Sequence, residues 1–403
     1  MILGTGTALS VWTQAERYLG AGTRTYSRFS ADLDVDEAYH PQRGRVSFEV
    51  PTFWVPDGVG EYLTNGLGSE LHAHYRSGDR FLLPVHPQTL AMLAEEVVGV
   101  LHRLEPGPAL TVVPSANVRT VFVLRHGCEP VPPHFVKLHY PRRLSRFTRR
   151  LRRPIISVQL WVSAELRRIG VPFLPEVGAG VFGTDPRHAW GFLLRELQIP
   201  GGGLTVPMFA LYGRDIRAPD DPTLLEQFIV RSGDSASEFV TDRLVRPAVR
   251  LWVRAATQTG CALEMHGQNT LVSIRGDRVA VGYRDCGVYV DPVVRARRGL
   301  PVDDLPPINV MGRDVAFPRE QVFSLAYDSF LGHHTLAFLA RLAEERFGVP
   351  ASVLQRAARE EFASCPEAAS LLPPTVAYYD DQLHEDGGWQ LVDTGAVPQW
   401  RDP

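Results

Sequence analysis

The sequence predicts an α+β protein, in which strands and helices occupy separate blocks of the chain. Runs of β-branched and aromatic residues bounded by Pro and Gly lie mainly between residues 80 and 140, as is typical of strands. After residue 141 the apolar residues mostly recur at helical spacing, apart from one hairpin pattern at 270–283. The regular strand–helix alternation of a parallel sheet is missing, which favours the α+β class.

The first block is predicted to hold most of the strands and one helix. The strand segments are FLLPVHP at 81–87, LTVVP at 110–114, VRTVFVLRHG at 118–127 and PHFVKLHY at 133–140. The helix is predicted from Gln88 to His102, between the first two of these strands. Residues 1–75 mix short helical stretches with a segment rich in Pro and Gly.

The second block is predicted to begin with a short basic helix, PRRLSRFTRRLRR at 141–153. Pro141 suits a first helical turn, and Leu144, Phe147 and Leu151 would share one face of the helix. Its opposite face is rich in Arg. That face is either an ordinary solvated surface or a place where one or two arginines bind a polyanionic substrate. RNA binding is a third and weaker alternative, since aromatic residues do not interleave with the arginines.

Further helices are expected to about residue 258. The longest is amphipathic, runs from about Ser235 to Thr257 and stops at Gly260. Residues 315–372 are predicted to be helical, and the tail after Pro373 to be irregular.

Composition excludes several classes of function. The 403 residues are 44% hydrophobic and 22% charged, which is ordinary for a folded globular protein. The net charge of −3 gives no polycationic field, so binding to nucleic acid or to a membrane surface is not expected. No apolar run reaches the ~18 residues of a membrane span. The N-terminus lacks the basic region of a signal peptide, and we therefore expect a cytoplasmic protein.

The most informative segment is Cys261–Asp291, which contains a two-residue hairpin turn at Gly276-Asp277. The register of this hairpin puts Asn269 opposite Arg284 and makes Asp285 a diagonal neighbour of Asn269. Glu264 and His266 lie on the segment that enters the hairpin. Amide and carboxylate oxygens are the ligands that Mg²⁺ prefers, so a magnesium–nucleotide site is predicted here. The alternative is a polar hairpin end whose groups cap one another.

A second candidate site combines VPSANVRT at 113–120 with the only lysine of the chain, Lys137. Arg119 can bind phosphate oxygens bidentately, Thr120 adds a hydroxyl group and Lys137 adds a compact positive charge. If this segment is a strand, Asn117 and Arg119 share one of its faces. The alternative is a strand with ordinary exposed polar residues.

Taken in order, these segments resemble the NRPS-independent siderophore (NIS) synthetases, the aerobactin synthetase IucA/IucC family. The resemblance covers roughly residues 40–345. Its motifs are HPQRGR at 40–45, LPVHPQ at 83–88, NVRT at 117–120, VKL at 136–138, LSxxxR at 144–149, LLRE at 193–196, EMHGQN at 264–269 and YRDCG at 283–287.

The resemblance implies an α+β fold shaped like a cupped hand, with a reduced thumb at 1–78, fingers at 79–200 and a palm at 201–403. It implies an ATP- and Mg²⁺-dependent ligase that adenylates a carboxylic acid, such as citrate, and releases pyrophosphate. An amine or hydroxyl compound then displaces AMP and forms an amide or ester. The expected setting is siderophore or related specialised-metabolite biosynthesis, with small-molecule partners and a homodimeric enzyme.

The resemblance also implies roles for individual residues. Nucleotide binding falls to Asn117, Arg119, Thr120, Lys137, His266, Gln268, Asn269 and Asp285. Catalysis falls to Lys137, Arg119 and His266, substrate binding to His40, Arg149 and His266, and Mg²⁺ binding to Glu264, Asn269 and Asp285.

Two departures from the family pattern leave alternatives open. Asn117 replaces the motif serine, and the segment at 371–389 has no Lys or Arg where the family has a basic residue. One alternative is a small-molecule phosphotransferase, because His266, Asn269 and Asp285 also resemble a kinase catalytic loop and metal site. The other is a degenerate, non-catalytic member of the family.

Overall fold

The computed structural model describes residues 7–19, 33–144, 147–185, 187–197, 203–380 and 390–403. The predicted α+β class is confirmed. The chain divides into two compact units. The sheet unit comprises Arg28–Ala164 and Leu174–Gln198, and the helical unit comprises Met1–Ser27, Glu165–Phe173 and Ile199–Pro403. The finer division into thumb, fingers and palm stays a prediction.

The strands are β1 (Phe48–Val50), β2 (Thr52–Pro56), β3 (Gly60–Thr64), β4 (Arg76–Ser77), β5 (Arg80–Pro84), β6 (Glu105–Pro106), β7 (Leu110–Pro114), β8 (Thr120–His126), β9 (Glu129–Leu138), β10 (Arg143–Leu144), β11 (Phe147–Thr148), β12 (Glu176–Phe182), β13 (Trp190–Glu196), β14 (Leu204–Pro207), β15 (Cys261–Ala262), β16 (Thr270–Arg275), β17 (Arg278–Tyr283), β18 (Tyr289–Val290), β19 (Ala377–Tyr379) and β20 (Leu391–Asp393).

The α-helices are α1 (Ala8–Tyr18), α2 (Leu71–Tyr75), α3 (Pro87–Leu90), α4 (Glu95–Arg103), α5 (Arg153–Arg168), α6 (Phe209–Tyr212), α7 (Leu224–Ser232), α8 (Ala236–Glu238), α9 (Arg246–Thr259), α10 (Pro292–Arg297), α11 (Arg319–Ser324), α12 (Ala337–Phe347), α13 (Ala351–Ala363) and α14 (Pro366–Ala369). A 3₁₀ turn spans Glu37–Tyr39, and π-helical segments span Phe239–Val245 and Leu325–Leu336. No helix in the described ranges is long and apolar enough to cross a membrane.

The sheet unit is built on a seven-stranded antiparallel sheet in the order β1-β7-β8-β9-β13-β12-β3. A four-stranded sheet, β4-β5-β2-β6, shares a hydrophobic core with one face of it. Ile156 and Leu160 of α5 pack against Ala179 and Val181 of β12 in a second core cluster. The large sheet is therefore covered on both faces.

Strands β12 and β13 lie in a region that was predicted to be helical, and that prediction is wrong. Every residue of both strands is buried, including the glycine-rich run of β12. A strand buried on both faces loses the alternation of apolar and polar residues, so its sequence does not differ from that of a buried helix.

The prediction of a basic helix at 141–153 is also wrong. The chain forms a small hairpin, β10–β11, in which the Arg149 amide donates to the Arg142 carbonyl at 3.1 Å. Leu144 packs with Val118 and Tyr140, whereas Leu151 belongs to the core cluster under α5. The two leucines were expected to share one helical face. They pack in different clusters, which an extended chain allows.

The helix predicted from Gln88 to His102 forms as two shorter helices, α3 and α4, separated by residues 91–94. The other strands expected in the first block are present as β5, β7, β8 and β9.

The helical unit contains a three-stranded sheet, β14-β16-β17, against which α1 packs. The predicted long helix is present as α8, a π-helical segment and α9, and it ends at Gly260 with a φ of +75°. The predicted helices at 315–372 are present as well. The tail is more regular than expected, since β19 and β20 pair with each other.

Four buried histidines of the sheet unit make its stability sensitive to acid. Burial lowers the pKa of His86, His126 and His139 to about 3 and that of His134 to about 4, from an ordinary value of 6.5. The unfolded chain therefore takes up protons below pH 6.5 that the folded unit excludes. We expect the melting temperature to be highest above pH 6.5 and to fall steadily toward pH 4.

His134→Gln should flatten this pH dependence, because the Nε2 atom of His134 accepts a hydrogen bond from the Tyr75 hydroxyl only while it is unprotonated. Thermal melts between pH 7.5 and 4.5 measure the effect, with the exposed His102→Gln as the control. Identical slopes for wild type and His134→Gln would contradict this prediction.

Candidate functional site

The candidate site residues fall into two groups, one in each unit. In the sheet unit, Asn117, Arg119 and Thr120 lie at the turn that connects β7 to β8. The Thr120 amide donates to the Asn117 carbonyl at 2.7 Å, and the Asn117 amide donates to Ser115 Oγ at 3.2 Å. The expectation that Asn117 and Arg119 share one face of a strand is therefore wrong, because β8 begins only at Thr120.

Lys137 lies on β9 directly opposite Thr120 of β8, so antiparallel pairing brings these two predicted residues together. Its side chain is almost fully buried, with 2% of the residue exposed. Its ammonium group donates to the Oε1 atom of Gln159 on α5 at 2.5 Å. Burial of an ammonium group is costly in free energy, and here it contacts a neutral amide. Its place on β9 beside Thr120 makes Lys137 a candidate for contact with an anionic ligand.

Arg119 is 7% exposed and adjoins the same pair of strands, because its carbonyl accepts a hydrogen bond from the Leu138 amide at 2.8 Å. Its guanidinium Nη1 donates to the Arg149 carbonyl at 3.1 Å. The structure therefore gathers Asn117, Arg119, Thr120, Lys137 and Arg149 in one neighbourhood, with Arg149 contributing its backbone from the hairpin segment.

His40 ends the 3₁₀ turn at Glu37–Tyr39. Its Nδ1 atom accepts the backbone N–H groups of Gln42 and Arg43 at 3.2 and 3.3 Å, so the imidazole caps the turn that follows. The predicted role of His40 in substrate binding stays a prediction.

In the helical unit, Glu264, His266 and Gln268 alternate with buried residues along the loop that leads from β15 into β16. The amides of Asn269 and Thr270 both donate to the His266 carbonyl, at 2.9 and 3.0 Å. This tight loop requires a glycine at position 267, because a Cβ atom there would lie 2.0 Å from the Tyr212 hydroxyl. The side chains of Glu264, His266 and Gln268 are half-buried.

The predicted hairpin register is confirmed. Arg275 pairs with Arg278 and Thr270 with Tyr283, and the Arg284 amide continues the ladder by donating to the Asn269 carbonyl at 2.9 Å. The Asn269 side-chain Nδ2 donates to the Glu264 carbonyl at 3.2 Å, which reserves Oδ1 as the acceptor atom.

Asp285 has a φ of +81°, in the left-handed region that non-glycine residues rarely adopt. The Tyr283 hydroxyl donates to its carbonyl at 2.6 Å, and its carboxylate accepts the Gly287 amide at 3.4 Å. Strained backbone of this kind is concentrated at functional sites, where the surrounding structure holds it.

Glu264 and Asp285 act on the same tyrosine. Burial raises the pKa of Tyr283 well above its ordinary value, and the negative charges of Asp285 and Glu264 raise it further. Burial and the charge of Glu264 likewise raise the pKa of Tyr289 to about 12. Both carboxylates therefore act electrostatically on the buried Tyr283 hydroxyl.

The oxygen atoms of Glu264, Asn269 and Asp285 fit a Mg²⁺ ion that arrives with phosphate groups. No cluster of three or more His, Cys, Asp or Glu side chains suited to a metal occurs in the described ranges. Mg²⁺ usually binds through one or two carboxylates together with substrate phosphates, and it rarely needs a cage made wholly of protein ligands. The donor set here, two carboxylates and one amide oxygen, fits that type of site.

Two residues that support these groups were not predicted from the sequence. Gln159 contacts Lys137, and Arg284 donates through Nε to the Gln268 carbonyl at 2.8 Å. Arg284 adjoins Asp285 in the YRDCG motif, which was a usable signal. Gln159 lies 22 residues from Lys137, and no pattern in the sequence links the two.

Comparison with solved structures finds a matching fold along almost the whole chain. ATP-bound aerobactin synthetase IucA from a hypervirulent pathotype of Klebsiella pneumoniae superposes with a TM-score of 0.71 at 16% identity, over 97% of this chain and 77% of that one. The chain has the aerobactin-synthetase fold. The resemblance inferred from the motifs is thus confirmed at the level of the fold.

Two further structures share the aerobactin-synthetase fold. Aerobactin synthetase IucC from the same K. pneumoniae pathotype matches with a TM-score of 0.61 at 18% identity, over 92% of this chain and 80% of that one. The petrobactin biosynthesis protein AsbB from Bacillus anthracis str. Sterne matches with a TM-score of 0.67 at 14% identity, over 95% of this chain and 74% of that one.

A sequence-family model described as "Ferric iron reductase FhuF-like transporter" matches residues 239–383. This span includes the loop at 263–269 and the β16–β17 hairpin. A comparison with curated protein sequences finds no match.

The left-handed backbone of Asp285 allows us to predict how substitutions at this position change the free energy of unfolding, whatever their effect on activity. Asn tolerates this conformation, so Asp285→Asn should unfold at nearly the wild-type urea concentration. Asp285→Ala should lose about 1 kcal/mol, because it keeps the Cβ that clashes in the left-handed region and loses the side-chain oxygen that bonds locally. Asp285→Gly should be more stable than Asp285→Ala. Equal stability of the Asn and Ala variants in urea denaturation would show that the backbone is not strained.

Proposed function

We propose that this chain is an ATP-dependent carboxylate ligase of the NIS synthetase type. It adenylates a carboxylic acid, such as citrate or a related di- or tricarboxylic acid, and condenses the product with an amine or hydroxyl compound. The proposal places the enzyme in siderophore or related specialised-metabolite biosynthesis.

The observation that carries this proposal is the aerobactin-synthetase fold, which extends over 97% of the chain and includes an ATP-bound relative. The local chemistry supports it. One unit gathers buried cationic groups beside a turn, and the other gathers carboxylate and amide oxygens on a hairpin. These are the two kinds of group that a triphosphate and its metal ion require.

The proposed reaction has two steps. A carboxylate oxygen of the acid attacks the α-phosphorus of ATP, the bond to the bridging oxygen of the β-phosphate breaks, and pyrophosphate leaves. The nucleophile then attacks the carbonyl carbon of the acyl adenylate, the bond from that carbon to the phosphate oxygen breaks, and AMP leaves. The nucleophile loses a proton to solvent or to a basic group.

In the sheet unit we assign Arg119 and Lys137 to the phosphate groups, since attack by one anion on another requires neutralising charge. Asn117 and Thr120 contribute hydrogen bonds to the nucleotide. Arg149 and His40 are assigned to the carboxylates of the acid.

In the helical unit we assign Glu264, Asn269 and Asp285 to Mg²⁺, which when bound would neutralise phosphate charge. Gln268 is assigned to the nucleotide. We assign His266 to both the nucleotide and the acid. Its ring packs edge-on against the Phe330 ring, with 5.7 Å between the ring centroids.

Product analysis tests the reaction class directly. The protein is incubated with Mg-ATP and each member of a panel of di- and tricarboxylic acids, with hydroxylamine as a generic nucleophile. The expected products are AMP, pyrophosphate and one acid hydroxamate, measured by chromatography and mass spectrometry. ADP as the nucleotide product would indicate a phosphotransferase. Failure to bind ATP in calorimetry would indicate a non-catalytic protein.

Lys137→Ala and Asp285→Asn should each reduce pyrophosphate release at least about 100-fold, because each removes a charge assigned to the phosphates or to their metal ion. Circular dichroism should show an intact fold for both. Near-wild-type turnover in either variant would contradict the site assignment.

Arg149→Ala should raise the KM of the acid more than the KM of ATP.

Gln159→Glu offers a sharper test of the environment of Lys137. The new carboxylate would lie against the Lys137 ammonium group and compete with a phosphate group for its charge. ATP affinity in calorimetry should fall about tenfold or more, with no loss of thermal stability. The near-isosteric Gln159→Met is the control, since it adds no charge. A smaller loss of ATP affinity in Gln159→Glu than in Gln159→Met would contradict the assignment of Lys137 to phosphate.

A further inference from the structure

We propose that Glu16 on the N-terminal helix α1 is a positioning residue for Asn269 and Asp285, acting through Arg284. The inference rests on the proposed function, because it assumes that these two residues bind the metal ion of a nucleotide. Helix α1, far from Asn269 and Asp285 in the sequence, would thereby set the geometry of these two residues.

The first observation is a buried ion pair within the helical unit. The Glu16 carboxylate accepts Nη1 of Arg284, and the two side chains are 0% and 5% exposed. Removing two charges from water costs free energy that a single ion pair only partly recovers. Replacing a buried ion pair by well-packed apolar residues of similar volume is often neutral or stabilising, so stability alone does not explain the Glu16–Arg284 pair.

The second observation is what the Arg284 group holds. Its Nε donates to the Gln268 carbonyl at 2.8 Å, and its backbone amide donates to the Asn269 carbonyl at 2.9 Å. Arg284 immediately precedes Asp285. One residue thus joins both strands at the end of the hairpin where the candidate metal-binding residues lie.

The third observation concerns the anchor of Glu16 itself. The Trp12 indole Nε1 donates to Glu16 Oε1 at 3.1 Å, one helical turn away. Thr7 caps α1 by accepting the Ser10 amide at 3.2 Å, and Val11 and Ala15 are buried. The Glu16 carboxylate therefore projects from a capped, packed helix, so its position is fixed and it can hold the Arg284 guanidinium in one place.

These contacts hold the strained backbone of Asp285 in its left-handed conformation. A residue at φ +81° keeps that conformation only when its surroundings over-determine it. The planar guanidinium of Arg284 links helix, loop and strand in a fixed geometry. Without the Glu16 charge, the hairpin end relaxes and Asn269 and Asp285 separate from the arrangement that binds metal.

The experiment measures metal binding as well as turnover. Glu16→Gln keeps the shape of the side chain and removes its charge. In the presence of a non-hydrolysable ATP analogue, Mn²⁺ binding followed by electron paramagnetic resonance should weaken about 10-fold or more, as for other residues that hold metal ligands in place. The Mg²⁺ concentration for half-maximal pyrophosphate release should rise similarly, with little change in the KM of the acid.

Asp328→Asn is the matched control. Asp328 forms an equally buried pair with Arg401, at 2% and 3% exposure, elsewhere in the helical unit. It should lower thermal stability without weakening Mn²⁺ binding. Hydrogen exchange of the peptides spanning 264–288 should quicken in Glu16→Gln and stay unchanged in Asp328→Asn.

Trp12→Phe serves as a milder variant if Glu16→Gln does not fold. It removes one hydrogen bond to Glu16 and should weaken Mn²⁺ binding in the same direction by a smaller factor. Equal Mn²⁺ affinity in wild type and Glu16→Gln, or equal loss in Glu16→Gln and Asp328→Asn, would overturn the proposal. Wild type that binds Mn²⁺ and nucleotide but forms no AMP would refute the ligase function and leave the metal-binding test valid.

Discussion

Antiparallel pairing of β16 with β17 is the constraint on which the candidate metal site depends. The two-residue turn sets the register, and the register brings Asn269 next to Arg284. A slip of one residue would turn every side chain of the hairpin to the opposite face and separate these groups. The tight loop around Gly267 then projects Glu264 and His266 from the start of β16.

In the sheet unit, the corresponding constraint is burial of the central strands on both faces. Strand β9 lies between β8 and β13, so the position of Lys137 is held by hydrogen bonds on both sides. A site on an interior strand is positioned more precisely than one on a loop. Arg119 and Asn117 lie on the adjoining turn, and connecting segments held by a rigid scaffold commonly carry ligand-binding residues.

Both candidate groups contain polar residues in places where stability alone would favour apolar ones. Lys137 is buried against an amide, the Glu16–Arg284 pair is buried in the helical unit, and Asp285 has a left-handed backbone. Proteins break local rules of this kind mainly at functional sites, and well-packed structure elsewhere compensates for the cost.

The sequence by itself determined the α+β class, because strand and helix patterns occupy separate blocks of the chain. It also determined the hairpin register and the long helix that ends at Gly260, because these depend on local turn and capping chemistry. It also identified the motif residues, since spacing along a strand or turn survives in the sequence. Tertiary structure alone decided that β12 and β13 are strands, because burial on both faces erases their alternation. It likewise decided that residues 143–144 and 147–148 are strands. The ion pair between Glu16 and Arg284, 268 residues apart, also came from tertiary structure, since contacts between distant segments leave no local pattern.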